Sequence, residues 1–343
     1  MTDRGDVGGS IKNLTICGLT PSGSVPPWVR LAVRDVWPSF ALHGMPRFKK
    51  FLRWTAMVMA VVVVAFAGWA IYFSWQMARA THRPIGPVPA DFPFPVEAVR
   101  FPAKDGLAIA GWFVPCPGAT RAAVLLHGAK RNRLENVARA RLMREHGYAV
   151  LLYDARGCGE SAGDVLSFGF HETKDLLGAL DYLRGRGYHQ FGLIGFSQGG
   201  LTIVNAAADL RDISWVILEC TPFDLWHTAG HDMRTAYGLP ESFTGLFVTP
   251  FVKWRLGVSL QDYVPPVRNI ARLHCPLYLI AGGEDVRVLP EESRELFAGA
   301  NEPKWFWLIG GAPHTNYYPR PDPVYERHVL YFLKLAEKID DGQ

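Results

Sequence analysis

From Val96 onward, short apolar runs alternate with stretches of helical spacing. Val96–Phe101 and Ala108–Val114 read as two strands joined around Lys104-Asp105-Gly106, a hairpin signal. Ala122–Leu126 is a short, wholly apolar run, as expected of a strand buried on both faces. Tyr148–Tyr153, Phe191–Gly195, Trp215–Leu218, Leu277–Ala281 and Trp305–Ile309 read as five further strands. Between them, Leu134–Glu145, Glu172–Arg184 and Gln198–Ala208 carry helical spacing, and a last helix is predicted over Pro323–Glu337. Strands that alternate with helices call for a mostly parallel sheet covered on both faces. The expected domain is therefore α/β, with an eight-stranded sheet over residues 96–343. The long aromatic stretch at about 221–275 is read as a small helical cap over the carboxyl edge of the sheet.

The chain upstream of Val96 follows a different pattern. Residues 1–44 are rich in Gly, Ser and Pro without periodicity, and disorder is expected there. Trp54 to Met77 contains no charged residue. As a helix it would extend roughly 36 Å at about 1.5 Å per residue, enough for a hydrocarbon core of about 30 Å. Residues 45–80 are read as a transmembrane signal anchor. Trp69, Tyr72 and Trp75 suit the far interface. Arg47, Lys49, Lys50 and Arg53 precede the span and Arg79 and Arg83 follow it, so the large C-terminal part is expected on the non-cytoplasmic side. Ala78-Arg79-Ala80 also fits a signal-peptidase site, and Met45 is an alternative start, so a cleaved signal remains the competing reading. The proline-rich segment 81–95 forbids helix and reads as an extended linker.

A net charge of +4 over 343 residues gives no reason to expect nucleic acid as a partner. The five cysteines are scattered, with no zinc-type spacing to His, and no metal is expected.

The chemistry-bearing signal is Gly195-Phe196-Ser197-Gln198-Gly199, a G-x-S-x-G between a predicted strand and a predicted helix. A serine on so sharp a turn projects its hydroxyl above the sheet, and the flanking glycines remove side chains that would clash. A serine nucleophile needs a base, and the base needs an orienting acid. Two later strands end in turns that supply them in order: Gly282-Gly283-Glu284-Asp285 and Gly310-Gly311-Ala312-Pro313-His314. Asp285 is the preferred acid, with Glu284 and Glu219 as alternatives, and His314 is the base. The oxyanion is expected to meet the backbone N–H groups of Gln198 and of Ala129 in His127-Gly128-Ala129-Lys130. His127 itself is read as structural. His227 and His231 fall in the cap region with a spacing that says little alone.

Together these motifs resemble the α/β-hydrolase superfamily from about Val96 to about Lys338. The match includes Lys104-Asp105-Gly106-Leu107, His127-Gly128 and Asp154-Ala155-Arg156-Gly157-Cys158-Gly159-Glu160-Ser161. Asp262-Tyr263-Val264-Pro265-Pro266 ahead of Cys275-Pro276 is similar to the serine-aminopeptidase-like branch, which has membrane-anchored members. The resemblance implies a cofactor-free Ser–Asp–His hydrolase and does not fix its substrate; the reading adopted is a small-molecule or acyl ester, thioester or amide. A short-peptide peptidase and a non-catalytic binding module on the same fold are the alternatives. Two features depart from the pattern: the Gly-rich lipase-type loop is absent after His127-Gly128, and Ala312-Pro313 stands where Gly often precedes the histidine.

Overall fold

A computed structural model describes residues 46–238, 240, 242, 249–257, 264–314 and 322–340. The expectations for residues 1–44, for a start at Met45 and for Asp262 and Tyr263 lie outside them. Contacts divide the chain into a unit ending at Val62 and a larger one running from Val63.

The first described element is helix α1, Pro46–Ala78. Its stretch Phe48–Ala78 is long and apolar enough to cross a membrane by length and composition. Helix begins well before the apolar run because basic residues are good helix formers and proline is tolerated in a first turn. In the first unit, Phe51, Trp54, Met57 and Val61 all point outward. In the second unit the last turns of α1 are part of the packing. Ala70, Ser74 and Ala78 are buried. Trp69, Phe73 and Met77 pack with Val165, Phe168, Trp226 and Leu256 around Ala78.

The sheet contains β1 (Glu97–Pro102), β2 (Ala108–Val114), β3 (Arg121–Leu126), β4 (Ala149–Tyr153), β5 (Gln190–Phe196), β6 (Ile213–Glu219), β7 (Leu277–Gly282) and β8 (Lys304–Ile309). Their order is β1-β2-β4-β3-β5-β6-β7-β8. The hairpin β1–β2 and the β2–β4 pair are antiparallel; every later pair is parallel. The described α-helices after α1 are α2 (Val137–Glu145), α3 (Glu172–Gly185), α4 (Gln198–Ala206), α5 (Leu225–Tyr237), α6 (Thr249–Leu256), the short α7 (Pro266–Asn269), α8 (Pro290–Gly299) and α9 (Pro323–Asp340). Of these, α5, α6 and α7 lie in the stretch expected to form a helical cap. The predicted helix from Leu134 opens instead as a 3₁₀ turn over Arg133–Asn136, where Asn132 Oδ1 accepts the Leu134 N–H.

Strand alternation produces two cores, one on each face of the sheet. Ala122, Val124, Leu126, Val216 and Leu218 face one; Ala123, Leu125, Trp215 and Ile217 face the other. Ile85, Val88, Phe92 and Phe94 of the proline-rich segment pack against the second.

The Asp154–Ser161 turn is held by a set of polar bonds. Asp154 accepts the N–H groups of Arg133 and Glu160, and Arg156 forms ion pairs with Asp105 and the buried Asp175. The Arg156 hydrogen bonds and charge pull the Asp105 carboxyl down from 3.8 to about 2, against some desolvation. A depressed acid contributes stability that is complete above its unfolded pKa and is lost as pH falls through its folded one. We therefore expect Asp105→Asn to lower Tm near neutral pH. In thermal melts over a pH series, the gap to the wild type should close as pH falls toward about 2.

Candidate active site

Four strand ends build the candidate site. β5 runs into α4 through Ser197, which adopts φ 51°, ψ −110°. A non-glycine residue at positive φ is strained and persists only where its surroundings hold it. Neighbouring backbone accounts for the glycines around it. A Cβ on Gly195 would lie 2.6 Å from the Gly199 carbonyl carbon, and one on Gly199 would lie 2.4 Å from the Leu126 carbonyl oxygen. The Ser197 N–H is fixed by the Glu219 carbonyl at the end of β6, 2.8 Å away.

The two later turns are stitched to each other. Gly283 N–H donates to the Ile309 carbonyl (2.8 Å) and Glu284 N–H to that of Ala312 (2.9 Å). These bonds bring the end of β7 and the end of β8 together despite Ala312-Pro313. Asp285 is buried; its Oδ1 accepts the N–H groups of Arg287 and Val288, both at 2.9 Å. Its Oδ2 lies 2.7 Å from His314 Nδ1. His314 Nε2 lies 3.2 Å from Ser197 Oγ. With Nδ1–H given to a carboxylate, Nε2 is left as an acceptor for the serine hydroxyl. Phe196 packs beside the imidazole, ring centroids 5.7 Å apart. The structure thus brings Ser197, His314 and Asp285 into one hydrogen-bonded chain.

The two other acids point elsewhere. Glu284 is exposed. Glu219 is fully buried and committed to Arg139: Arg139 Nε donates at 3.0 Å, its Nη2 makes a second and closer bond, and Tyr325 Oη donates at 2.6 Å. Burial works against the Arg139 charge, but the adjacent carboxylate outweighs it and holds the guanidinium above its ordinary range. Burial likewise raises the Tyr325 phenol. This cluster was not read from the sequence. Its one trace there is a cation sharing a helix face with Met143, four residues on.

The loop after β3 lies beside the serine turn. A Cβ on Gly128 would meet the Phe196 ring at 2.8 Å. His127 Nδ1 lies 2.7 Å from the Gly128 carbonyl, and Nε2 accepts the Ala155 N–H at 2.9 Å, so this histidine ties two loops together, as its structural reading implied. Ala129 sits at this turn just before Lys130, whose φ is 58°. Gln198 is the first residue of α4, where an N–H has no acceptor within its own helix. Cys220, also at positive φ, lies with its sulfur within 4.8 Å of the ligand atoms of Asp285 and His314. On α5, His227 and His231 both contact Glu292, a residue not singled out in the sequence.

The description "alpha/beta hydrolase fold" belongs to the family that matches residues 124–318. The chain belongs to the α/β-hydrolase family. The chain is 26% identical to the uncharacterized YqkD of Bacillus subtilis over 241 residues, 69% of this chain and 78% of that protein. It is 28% identical to the uncharacterized YfhR of Escherichia coli K12 over 255 residues, 71% of this chain and 82% of that one. Among solved structures, an esterase of Pyrococcus furiosus superposes with a TM-score of 0.62 at 25% identity, covering 75% of this α/β hydrolase and 97% of the esterase.

Replacing Glu219 by Ala would leave Arg139 charged, buried and unpaired. Such a change costs about 3–5 kcal/mol. We expect denaturant unfolding of Glu219→Ala to show a loss of this size. A double replacement of Arg139 and Glu219 by Leu should recover much of it.

Proposed function

We propose that this α/β hydrolase is a serine hydrolase of carboxylesterase type, cleaving an ester or thioester through an acyl-enzyme. The observation that carries the reading is the continuous chain Ser197 Oγ, His314 Nε2, His314 Nδ1, Asp285 Oδ2, at 3.2 and 2.7 Å. Ser197 attacks the acyl carbon as its proton passes to His314 Nε2. Asp285 holds the tautomer that exposes that nitrogen and stabilises the imidazolium. The carbonyl oxygen, now negative, is met by the N–H groups of Ala129 and Gln198 and by the positive end of α4. Collapse expels the alcohol or thiol, which takes the proton from His314. Water, deprotonated by the same imidazole, then releases the acid and restores Ser197.

The aromatic composition of the stretch at about 221–275 favours an apolar acyl group. This reading includes membership of the serine-aminopeptidase-like branch and a single-pass anchor over residues 45–80. It puts the hydrolase domain on the non-cytoplasmic side. Its supports are the length and apolarity of α1 and the excess of basic residues before it.

A fluorophosphonate probe should label the wild type and leave Ser197→Ala unlabelled. Against p-nitrophenyl esters, kcat should fall by about 10⁴–10⁶ in Ser197→Ala and His314→Ala, and by about 10⁴ in Asp285→Asn. Absence of labelling in folded protein would favour a binding module. Turnover of aminoacyl-anilides but of no ester would favour a peptidase.

A further inference from the structure

Apart from Ser197, His314 and Asp285, a set of side chains of metal-ligating type meets between α5 and α8. His227 and His231 stand four residues apart on α5, so helix geometry sets both imidazoles on one side. Glu292, in the first turn of α8, reaches across to them. His227 Nδ1 lies 2.7 Å from Glu292 Oε1, and His231 Nε2 lies 3.1 Å from the same oxygen. The three candidate ligand atoms all fall within 4.8 Å of one another. Glu292 Oε2 is committed elsewhere, accepting the Leu289 N–H at 3.0 Å, so the carboxylate is held with one oxygen toward the pair. The His231 and Glu292 side chains are only 5% and 7% exposed, whereas His227 is 45% exposed and leaves an approach from solvent.

We propose that His227, His231 and Glu292 form a binding site for one divalent transition-metal ion of the zinc type, with water as a fourth ligand. Two imidazoles and a carboxylate are donors zinc favours; magnesium and calcium want more oxygens. Ligand bonds of about 2.0–2.2 Å in a tetrahedron put donors about 3.3–3.5 Å apart. The observed 2.7 and 3.1 Å contacts need open only by fractions of an ångström, within reach of small side-chain rotations. The ion takes the nitrogen lone pairs, so each ring carries its proton on the other nitrogen. For His231 that nitrogen is Nδ1, now 3.4 Å from Arg234 Nη2. The Arg234 side chain is exposed. Its charge opposes the ion, so Arg234→Gln should tighten binding several-fold. A bound ion would clasp α5 of the cap to the helix that follows the Asp285 turn.

The test uses the full chain in detergent, stripped with EDTA and titrated with Co²⁺ alone, then with Zn²⁺. One equivalent of Co²⁺ should give the visible absorption of a four-coordinate ion without a thiolate charge-transfer band, and Zn²⁺ should displace it. The signal should be retained in S197A and C220A and lost in H231N, E292Q and H227N. H227N guards against misfolding, because that side chain is nearly half exposed and its metal-free melt should match the wild type. No Co²⁺ signal, or a signal that survives H227N and E292Q, overturns the site and leaves a hydrogen-bonded His–Glu–His cluster only. Loss in C220A also overturns it, because the ion would then belong to Cys220, Asp285 and His314. Esterase activity is not a readout, so failure of the metal site and failure of the hydrolase reading are separable.

Discussion

The buried pair between Arg139 and Glu219, completed by Tyr325, fixes the point from which the site is built. It joins α2 and α9 to the carboxyl end of β6. The carbonyl of that same Glu219 receives the Ser197 N–H, so the strained serine turn is fastened to a residue that cannot move without exposing a buried charge. Glycines at 195, 199 and 200 then let backbone approach where a side chain would collide; a Cβ on Gly200 would lie 1.8 Å from Thr221 Oγ1. Positive φ at Ser197 is thus maintained from beneath by an ion pair and from the sides by steric exclusion.

The loops above the sheet obey the same economy. Three of them are tied to one another or to a neighbouring turn by hydrogen bonds. His127 links the β3 loop to the Asp154–Ser161 turn, Asp154 links that turn to Arg133, and the β7 and β8 turns share backbone bonds. Buried polar groups are costly unless satisfied, so such a mesh holds loops in one arrangement where apolar contact would permit several.

Much of this was legible in the sequence, because it depends on local signals. The eight strands announce themselves as apolar runs, and the hairpin as Lys104-Asp105-Gly106. Ser197, Asp285 and His314 stand out because each ends a strand in a glycine-bearing turn, and a parallel sheet puts all such ends on one edge. What was illegible depends on partners remote in the chain. Arg139 lies 80 residues from Glu219, and Tyr325 lies 106 from it, and no spacing rule joins them. Glu219 alone therefore looked like a candidate acid. Glu292 was missed for the same reason, while His227 and His231, one turn apart, were visible. The start of α1 was also hidden, since apolarity marks where a helix suits lipid and not where its hydrogen bonds begin.

The last turns of α1 pack against Trp226 and Leu256, and the residues just beyond are bonded to the 157–164 turn through Ala80 and Thr81. Within the larger unit, therefore, the segment that leads into the hydrolase is a component of its packing and not a free tether. Shortening the chain into Ala78–Thr81 would strip backbone partners from the 157–164 turn together with side chains from the cluster around Leu256.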